Sequence, residues 1–108
     1  MRYGRRLRRL VVADGTTWRW NVRWSSTSLT LWVNHDATPR LRHAIAFRSA
    51  PGRLADHSTS GYVAGRAGPW LSLHEPGVVR ALMDLAAPQL AEGLREIDGW
   101  QLYDVLTG

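Results

Sequence analysis

The chain has 108 residues, of which 14 are basic and 9 acidic, and its formal net charge is +5. A chain of this length is expected to form one domain that buries roughly two-thirds of the surface exposed when unfolded. It contains no cysteine, which excludes disulfides and thiolate metal sites. Its apolar runs are too short for a membrane span or the apolar segment of a signal peptide. We therefore expect a soluble, cytoplasmic protein without a membrane partner.

Positive charge is concentrated in the first half of the chain. Residues 1–53 hold eleven arginines and two acids, a net charge of +9, whereas residues 54–108 carry a net charge of −4. A basic half of this kind favours an anionic partner, most often nucleic acid. The chain has no lysine, and an arginine-only composition is also typical of coding by a high-G+C genome. The arginine excess is therefore either functional or compositional.

The first half of the sequence predicts four strands. Residues 16–25 alternate between apolar and polar side chains over ten positions, the strongest pattern in the chain. Residues 6–13, 28–34 and 41–48 are predicted as further strands. Because the connections are short, we expect an antiparallel meander. The side chains expected to face the core are Trp18, Trp20, Val22, Trp24, Leu29, Leu31, Val33, Leu41, His43, Ile45 and Phe47.

The dipeptide Asp14-Gly15 marks the turn between the first two strands. A two-residue loop would pair Val11 with Trp18 and turn Arg9 toward the core. A three-residue loop instead turns Leu10 and Val12 inward. We favour the second register because it buries more apolar side chains.

The second half predicts helices. Residues 49–69 are rich in Gly, Ala and Ser, and they form either a flexible functional loop or a hidden fifth strand near residues 61–63. Residues 70–73 are expected to be extended. The helical part spans residues 74–98, beginning near Pro76, with a break or kink at Pro88 and a second helical segment over residues 89–97.

Residues 98–99 are expected to end the helical part, and residues 100–106 form a possible closing strand. The predicted fold class is α+β, with one domain over residues 1–108. It combines an antiparallel four- to five-stranded meander with one or two C-terminal helices packed on one face.

We predict no catalytic residue, metal site or cofactor. The histidines His35, His43, His57 and His74 form no His-x-His or helical i, i+4 pair. His43 is predicted on the core face as a structural histidine. The triplet of residues 56–58 (Asp-His-Ser) resembles a triad only in sequence, because adjacent residues do not face one another. A small enzyme using residues 49–69 with His57 or His74 is the least favoured alternative.

A binding surface is predicted on the outward side of the sheet. Trp32 breaks the alternation of its strand by lying on the polar side among arginines. Single-stranded nucleic acid binds to such surfaces, because bases stack on the ring and guanidinium groups hold phosphates. Alternatively, residues 49–69 or stacked arginine side chains cover the ring. The predicted site residues on this face are Arg19, Arg23, Trp32, Arg42 and Arg48.

The N-terminal residues add a basic arm, in which Arg5, Arg6 and Arg8 are further predicted contacts. Such arms often bind nucleic-acid backbones, and they are also often solvated tails. We expect a non-enzymatic binding or regulatory domain whose partner is single-stranded nucleic acid. The alternative is a protein-interaction module, such as an accessory or inhibitor subunit, that binds another protein or a second copy of itself. It would use the same face or the acidic helices.

Two stretches carry a resemblance to known sequences. Residues 14–23 (DGTTWRWNVR) and 73–82 (LHEPGVVRAL) resemble the most recognisable segments of a group of small proteins from high-G+C bacteria. No activity is attached to that group. The resemblance therefore implies a small stand-alone bacterial domain and transfers no functional residue.

Overall fold

The computed structural model describes residues 8–38, 40–55, 61–65 and 68–108. Within these residues the chain forms eight strands and two helices. The strands are β1 (Arg8–Val11), β2 (Thr17–Trp24), β3 (Ser28–His35), β4 (Arg42–Arg48), β5 (Leu54–Ala55), β6 (Tyr62–Ala64), β7 (Leu71–Ser72) and β8 (Glu96–Asp98), and the helices are α1 (Pro76–Ala91) and α2 (Gly99–Thr107). They form a five-stranded sheet in the order β1-β2-β3-β4-β8 and a smaller sheet in the order β5-β6-β7. The predicted α+β class is confirmed.

The first four strands form the predicted antiparallel meander. In the first hairpin Leu10 lies opposite Trp18, and the Val12 N–H donates to the Thr16 carbonyl over 3.0 Å. Gly15 closes the three-residue loop with a φ of +86°, a conformation that glycine adopts without a Cβ clash. The favoured hairpin register is confirmed, and Val12 is buried as a result.

The core lies between the five-stranded sheet and a second layer made of the helices and the small sheet. Two of the predicted core side chains lie outside it: Trp24, at the end of β2, is 52% exposed, and Leu41, just before β4, is 44% exposed. Both positions continue an apolar alternation past the area that the second layer covers, so alternation alone placed them wrongly. The buried core consists of Val12, Trp18, Trp20, Leu29, Leu31, Val33, Ile45, Phe47, Val63, Leu73, Val79, Leu82, Met83, Ala86, Ile97, Trp100, Leu102 and Tyr103.

The segment of residues 49–73 contains the small sheet. The strand expected near residues 61–63 is β6, and the extended segment expected over residues 70–73 contains β7. Both strands pair with each other and not with the meander. Val63 is fully buried, which anchors this sheet to the core. The expected flexible loop is therefore structured in part, and its residues 56–60 and 66–67 lie outside the described residues.

Helix α1 begins at Pro76 as predicted, and of the break or kink expected at Pro88 the break does not occur. The helix runs through Pro88 to Ala91. A proline inside a helix removes the hydrogen bond to the carbonyl four residues earlier. Here that loss falls in the last turn, after the buried residues Val79, Leu82, Met83 and Ala86 have already fixed the helix on the core.

The second predicted helical segment, residues 89–97, is helical only to Ala91 and is wrong beyond it. Gly93 ends the helix with a φ of +84°, while its N–H donates to the Leu90 carbonyl and the Leu94 N–H donates to the Gln89 carbonyl. This is the Schellman arrangement that terminates helices. The chain then enters β8, which pairs in parallel with β4 and buries Ile97 opposite Ile45.

The predicted closing strand over residues 100–106 is a helix. Asp98 does not end a helix but begins one, because its carboxylate accepts a hydrogen bond from the Trp100 N–H at the start of α2. Trp100, Leu102 and Tyr103 are buried against the sheet and α1. The alternation of Trp100 with Leu102 imitates a strand, yet both side chains reach the core from a helix.

Candidate nucleic-acid interface

The outward side of the five-stranded sheet carries most of the predicted site. Both helices contribute their buried residues to the core on the opposite side, so neither covers this outward side, which we call the open face. Its side chains alternate with the core residues along every strand. The open face consists of Arg9, Val11, Thr17, Arg19, Asn21, Arg23, Ser28, Thr30, Trp32, Asn34, Arg42, Ala44, Ala46, Arg48, Glu96 and Asp98.

Strand register brings three arginines into one row. Arg9 lies opposite Arg19, Arg19 opposite Asn34, and Asn34 opposite Arg42. Neighbouring strands are about 4.8 Å apart, so the row extends roughly 14 Å across the sheet. The Asn34 side-chain amide donates to the Leu41 carbonyl over 3.1 Å. The row therefore has Arg9 and Arg42 at its two ends, and Arg19 and the hydrogen-bonded Asn34 lie between them.

Trp32 lies at the centre of the open face, opposite Asn21 on β2 and Ala44 on β4. Its side chain is half-buried, and the Arg42 guanidinium carbon lies 4.2 Å from the centre of its ring. An arginine thus covers one face of the ring, as one of the two sequence alternatives expected. Neighbouring Ala44 and Ala46 add little bulk, which leaves the indole as the largest apolar group on the face.

Two arginines of the open face are held by acids. The Arg19 Nε donates to Asp36 Oδ1 over 2.9 Å, and these side chains are 36% and 35% exposed. Arg48 pairs with Glu96 of β8, a strand that the sequence did not predict. Among the described acids none pairs with Arg9, Arg23 or Arg42. The net positive charge of the open face is therefore smaller than its number of arginines suggests.

Of the predicted contacts in the N-terminal arm, Arg8 lies within the described residues and is separated from this group. Arg8 lies on the core side of β1, where its guanidinium carbon is 4.5 Å from the centre of the Trp20 ring. It also donates to the His74 carbonyl over 2.8 Å. Arg5 and Arg6 lie outside the described residues. The structure thus brings together Arg19, Arg23, Trp32, Arg42 and Arg48 but places Arg8 elsewhere.

The histidines within the described ranges have structural contacts. His43 is buried, and its Nδ1 lies 2.6 Å from the Leu94 carbonyl oxygen, which requires Nδ1 to carry the proton. His35 Nδ1 accepts from the Ala37 N–H over 2.9 Å. His57 lies outside the described residues. Within residues 8–38, 40–55, 61–65 and 68–108, no three His, Asp or Glu side chains are grouped as metal ligands would be.

Sequence reasoning missed a second polar site. Arg53 makes a two-pronged ion pair with Asp104 of α2, with both N–O distances at 2.7 Å. Its guanidinium holds the pKa of the Asp104 carboxyl below its ordinary value, chiefly through this hydrogen bond, and in turn Asp104 raises the pKa of Arg53. The pair lines an open cavity of about 520 Å³ together with Tyr103 and Thr107. Because 51 residues separate the partners, no local pattern could have revealed it.

An apolar patch lies on the outward side of the small sheet. Leu54, Tyr62 and Trp70 are all exposed, and the Tyr62 and Trp70 rings meet edge to face at 6.3 Å. The patch is on the far side of the core from the open face, because Val63, which alternates with Tyr62, points into the core. It provides an exposed tryptophan outside the candidate interface.

Comparisons with models of protein families, with curated proteins and with solved structures found no match. Of the two helices in the described ranges, neither is both long enough and apolar enough to span a membrane.

Proposed function

We propose that this protein is a non-enzymatic binding domain that holds single-stranded nucleic acid on its open face. The observation that carries the proposal is the position of Trp32, a half-buried indole at the centre of a sheet face that no described helix covers. Four open-face arginines lie on the two strands beside it, Arg19 and Arg23 on β2 and Arg42 and Arg48 on β4.

The chemistry favours a single strand over a duplex. Unpaired bases present their faces for stacking, and one stacked base contributes about 1–3 kcal/mol to binding. A duplex hides those faces and offers only phosphates and base edges. Since Trp32 is the one aromatic side chain among the described residues of the open face, the ligand that uses it best has accessible bases and a phosphate backbone within reach of arginines.

The number of phosphates in contact follows from the ion pairs. Arg9, Arg23 and Arg42 make no ion pair with a described acid, so we expect about three phosphate contacts in the complex. Each contact with single-stranded nucleic acid contributes roughly 0.7 to the slope of log K against log salt. The expected slope is about −2, which corresponds to an affinity loss of about 20-fold over a fourfold rise in salt.

The test is a titration of a fluorescently labelled single-stranded oligonucleotide at several salt concentrations, read by anisotropy. Arg23→Ala should reduce the slope by about 0.7. Arg80→Ala is the matched control, because Arg80 is an exposed arginine of α1 on the opposite layer. Absence of binding at low salt, or binding that salt does not weaken, would overturn the proposal.

A further inference from the structure

Two arginines of the open face are held by carboxylates and are therefore not among the three expected phosphate contacts. Asp36 accepts from Arg19 over 2.9 Å, and Glu96 accepts from Arg48. Arg19 lies on β2 and Arg48 on β4, the two strands that flank β3 and its Trp32. The pairs therefore lie on both sides of the proposed stacking position.

Carboxylate and phosphate oxygens accept from a guanidinium in the same geometry. A phosphate that binds Arg19 or Arg48 must therefore replace the carboxylate or share the arginine with it. Both pairs are accessible for this exchange, since the four side chains are between 35% and 63% exposed. Ion pairs at such exposure contribute little to fold stability, so their exchange costs the protein little.

The other acids within the described ranges do not form an ion pair with an arginine of the open face. Asp98 faces the same side, but its carboxylate accepts from the Trp100 N–H and begins α2. Asp84 and Asp104 pair with Arg80 and Arg53, which lie outside the open face. Only Asp36 and Glu96, among the described acids, pair with arginines of the open face.

We propose that Asp36 and Glu96 compete with the phosphates of bound nucleic acid for Arg19 and Arg48, and thereby limit the affinity of the open face. The inference rests on the proposed function, because it concerns the same surface and the same ligand. The two acids thereby reduce the part of the binding free energy that comes from phosphate contacts.

The test compares Asp36→Asn, Glu96→Gln and the double variant with the unchanged protein, using the labelled single strand. Each substitution frees one arginine, so the salt slope should steepen by about 0.7 and affinity at roughly 0.1 M salt should rise about fivefold. The matched control is Glu92→Gln, which removes one negative charge at an exposed acid that makes no ion pair within the described residues. It should change affinity less than twofold and leave the slope unaltered.

A double-mutant cycle separates competition from a general charge effect. In an Arg19→Ala background, Asp36→Asn should lose its fivefold gain, because no arginine remains to be freed. If the unchanged protein binds but the acid variants gain no more than Glu92→Gln, the inference is wrong and the proposed function stands. If neither the unchanged protein nor any variant binds, both are wrong. Urea unfolding of each variant checks that its fold is intact.

Discussion

The guanidinium of Arg42 lies over the indole ring of Trp32, with 4.2 Å between its central carbon and the ring centre. The two residues are diagonal neighbours on adjacent antiparallel strands, since Trp32 lies opposite Ala44 and Arg42 opposite Asn34. This geometry places a cation and an aromatic surface within reach of one nucleotide. If single-stranded nucleic acid binds as proposed, a base that stacks on Trp32 either uses the opposite face of the ring or displaces the guanidinium.

Replacing Trp32 tests the stacking position directly. Trp32→Ala should weaken binding of a single-stranded oligonucleotide by about 1–3 kcal/mol, the contribution of one stacked base. The salt slope should remain nearly the same, because no phosphate contact is removed. Trp70→Ala is the control, since Trp70 is an exposed tryptophan on the small sheet. Equal losses for the two variants would argue against a specific role of Trp32.

The tryptophans should also separate by their effect on stability. Trp20 is 1% exposed within the core, so Trp20→Ala should lower the free energy of unfolding by about 3–5 kcal/mol through lost burial and the cavity left behind. Trp32 loses mainly cross-strand and cation–π contacts, and Trp32→Ala should cost about 1 kcal/mol. Urea denaturation measures both. Similar costs would mean that Trp32 belongs to the core and that the open face is misassigned.

Gly99 should tolerate no side chain. A Cβ at this position would lie 2.6 Å from the Phe47 ring, which is fully buried and cannot move aside. Gly99→Ala should therefore destabilise the fold by about 1–3 kcal/mol, although alanine favours helices. Gly77→Ala is the matched control in α1, because a Cβ there meets nothing within 4 Å. It should stabilise by about 0.5 kcal/mol, and thermal unfolding of both variants gives the comparison.

The ion pair between Arg53 and Asp104 should make stability depend on pH. The pKa of Asp104 is lowered in the folded protein, chiefly by its hydrogen bond with Arg53. Its stabilising contribution is therefore present above the ordinary aspartate pKa and is lost as pH falls through the lowered value. Asp104→Asn should destabilise the protein near neutral pH, and its difference from the unchanged protein should vanish in strong acid.

Urea midpoints measured from neutral pH down to about pH 2 test this dependence, which is expected across the range where aspartates protonate. Glu92→Gln serves as the control for the removal of one exposed carboxylate that makes no ion pair within the described residues. A difference between Asp104→Asn and the unchanged protein that stays constant with pH would show that the side-chain change itself, and not the ionised pair, is responsible.

The sequence by itself determined the meander and its two faces. A ten-residue alternation defines which side of β2 is buried, and a one-residue slip would have turned Trp18 and Trp20 outward. The turn signal at Asp14-Gly15 and the inward position of Leu10 and Val12 then decided the hairpin register. These features are local, because strand alternation and turn conformation depend on neighbouring residues. The corresponding alternation along β3 placed Trp32 on the outward side.

Only the tertiary structure decided the secondary structure of residues 92–107. The apolar spacing of Leu90, Leu94 and Ile97 fits a helix, but the Schellman turn at Gly93 and the pairing of Ile97 with Ile45 make a parallel strand instead. Likewise Trp100 and Leu102 alternate as in a strand, yet the Asp98 cap begins a helix. The parallel pairing joins residues 44–46 to residues 96–98, so no pattern within either segment indicates it. For the same reason, no sequence pattern disclosed that Glu96 would hold Arg48 on the open face.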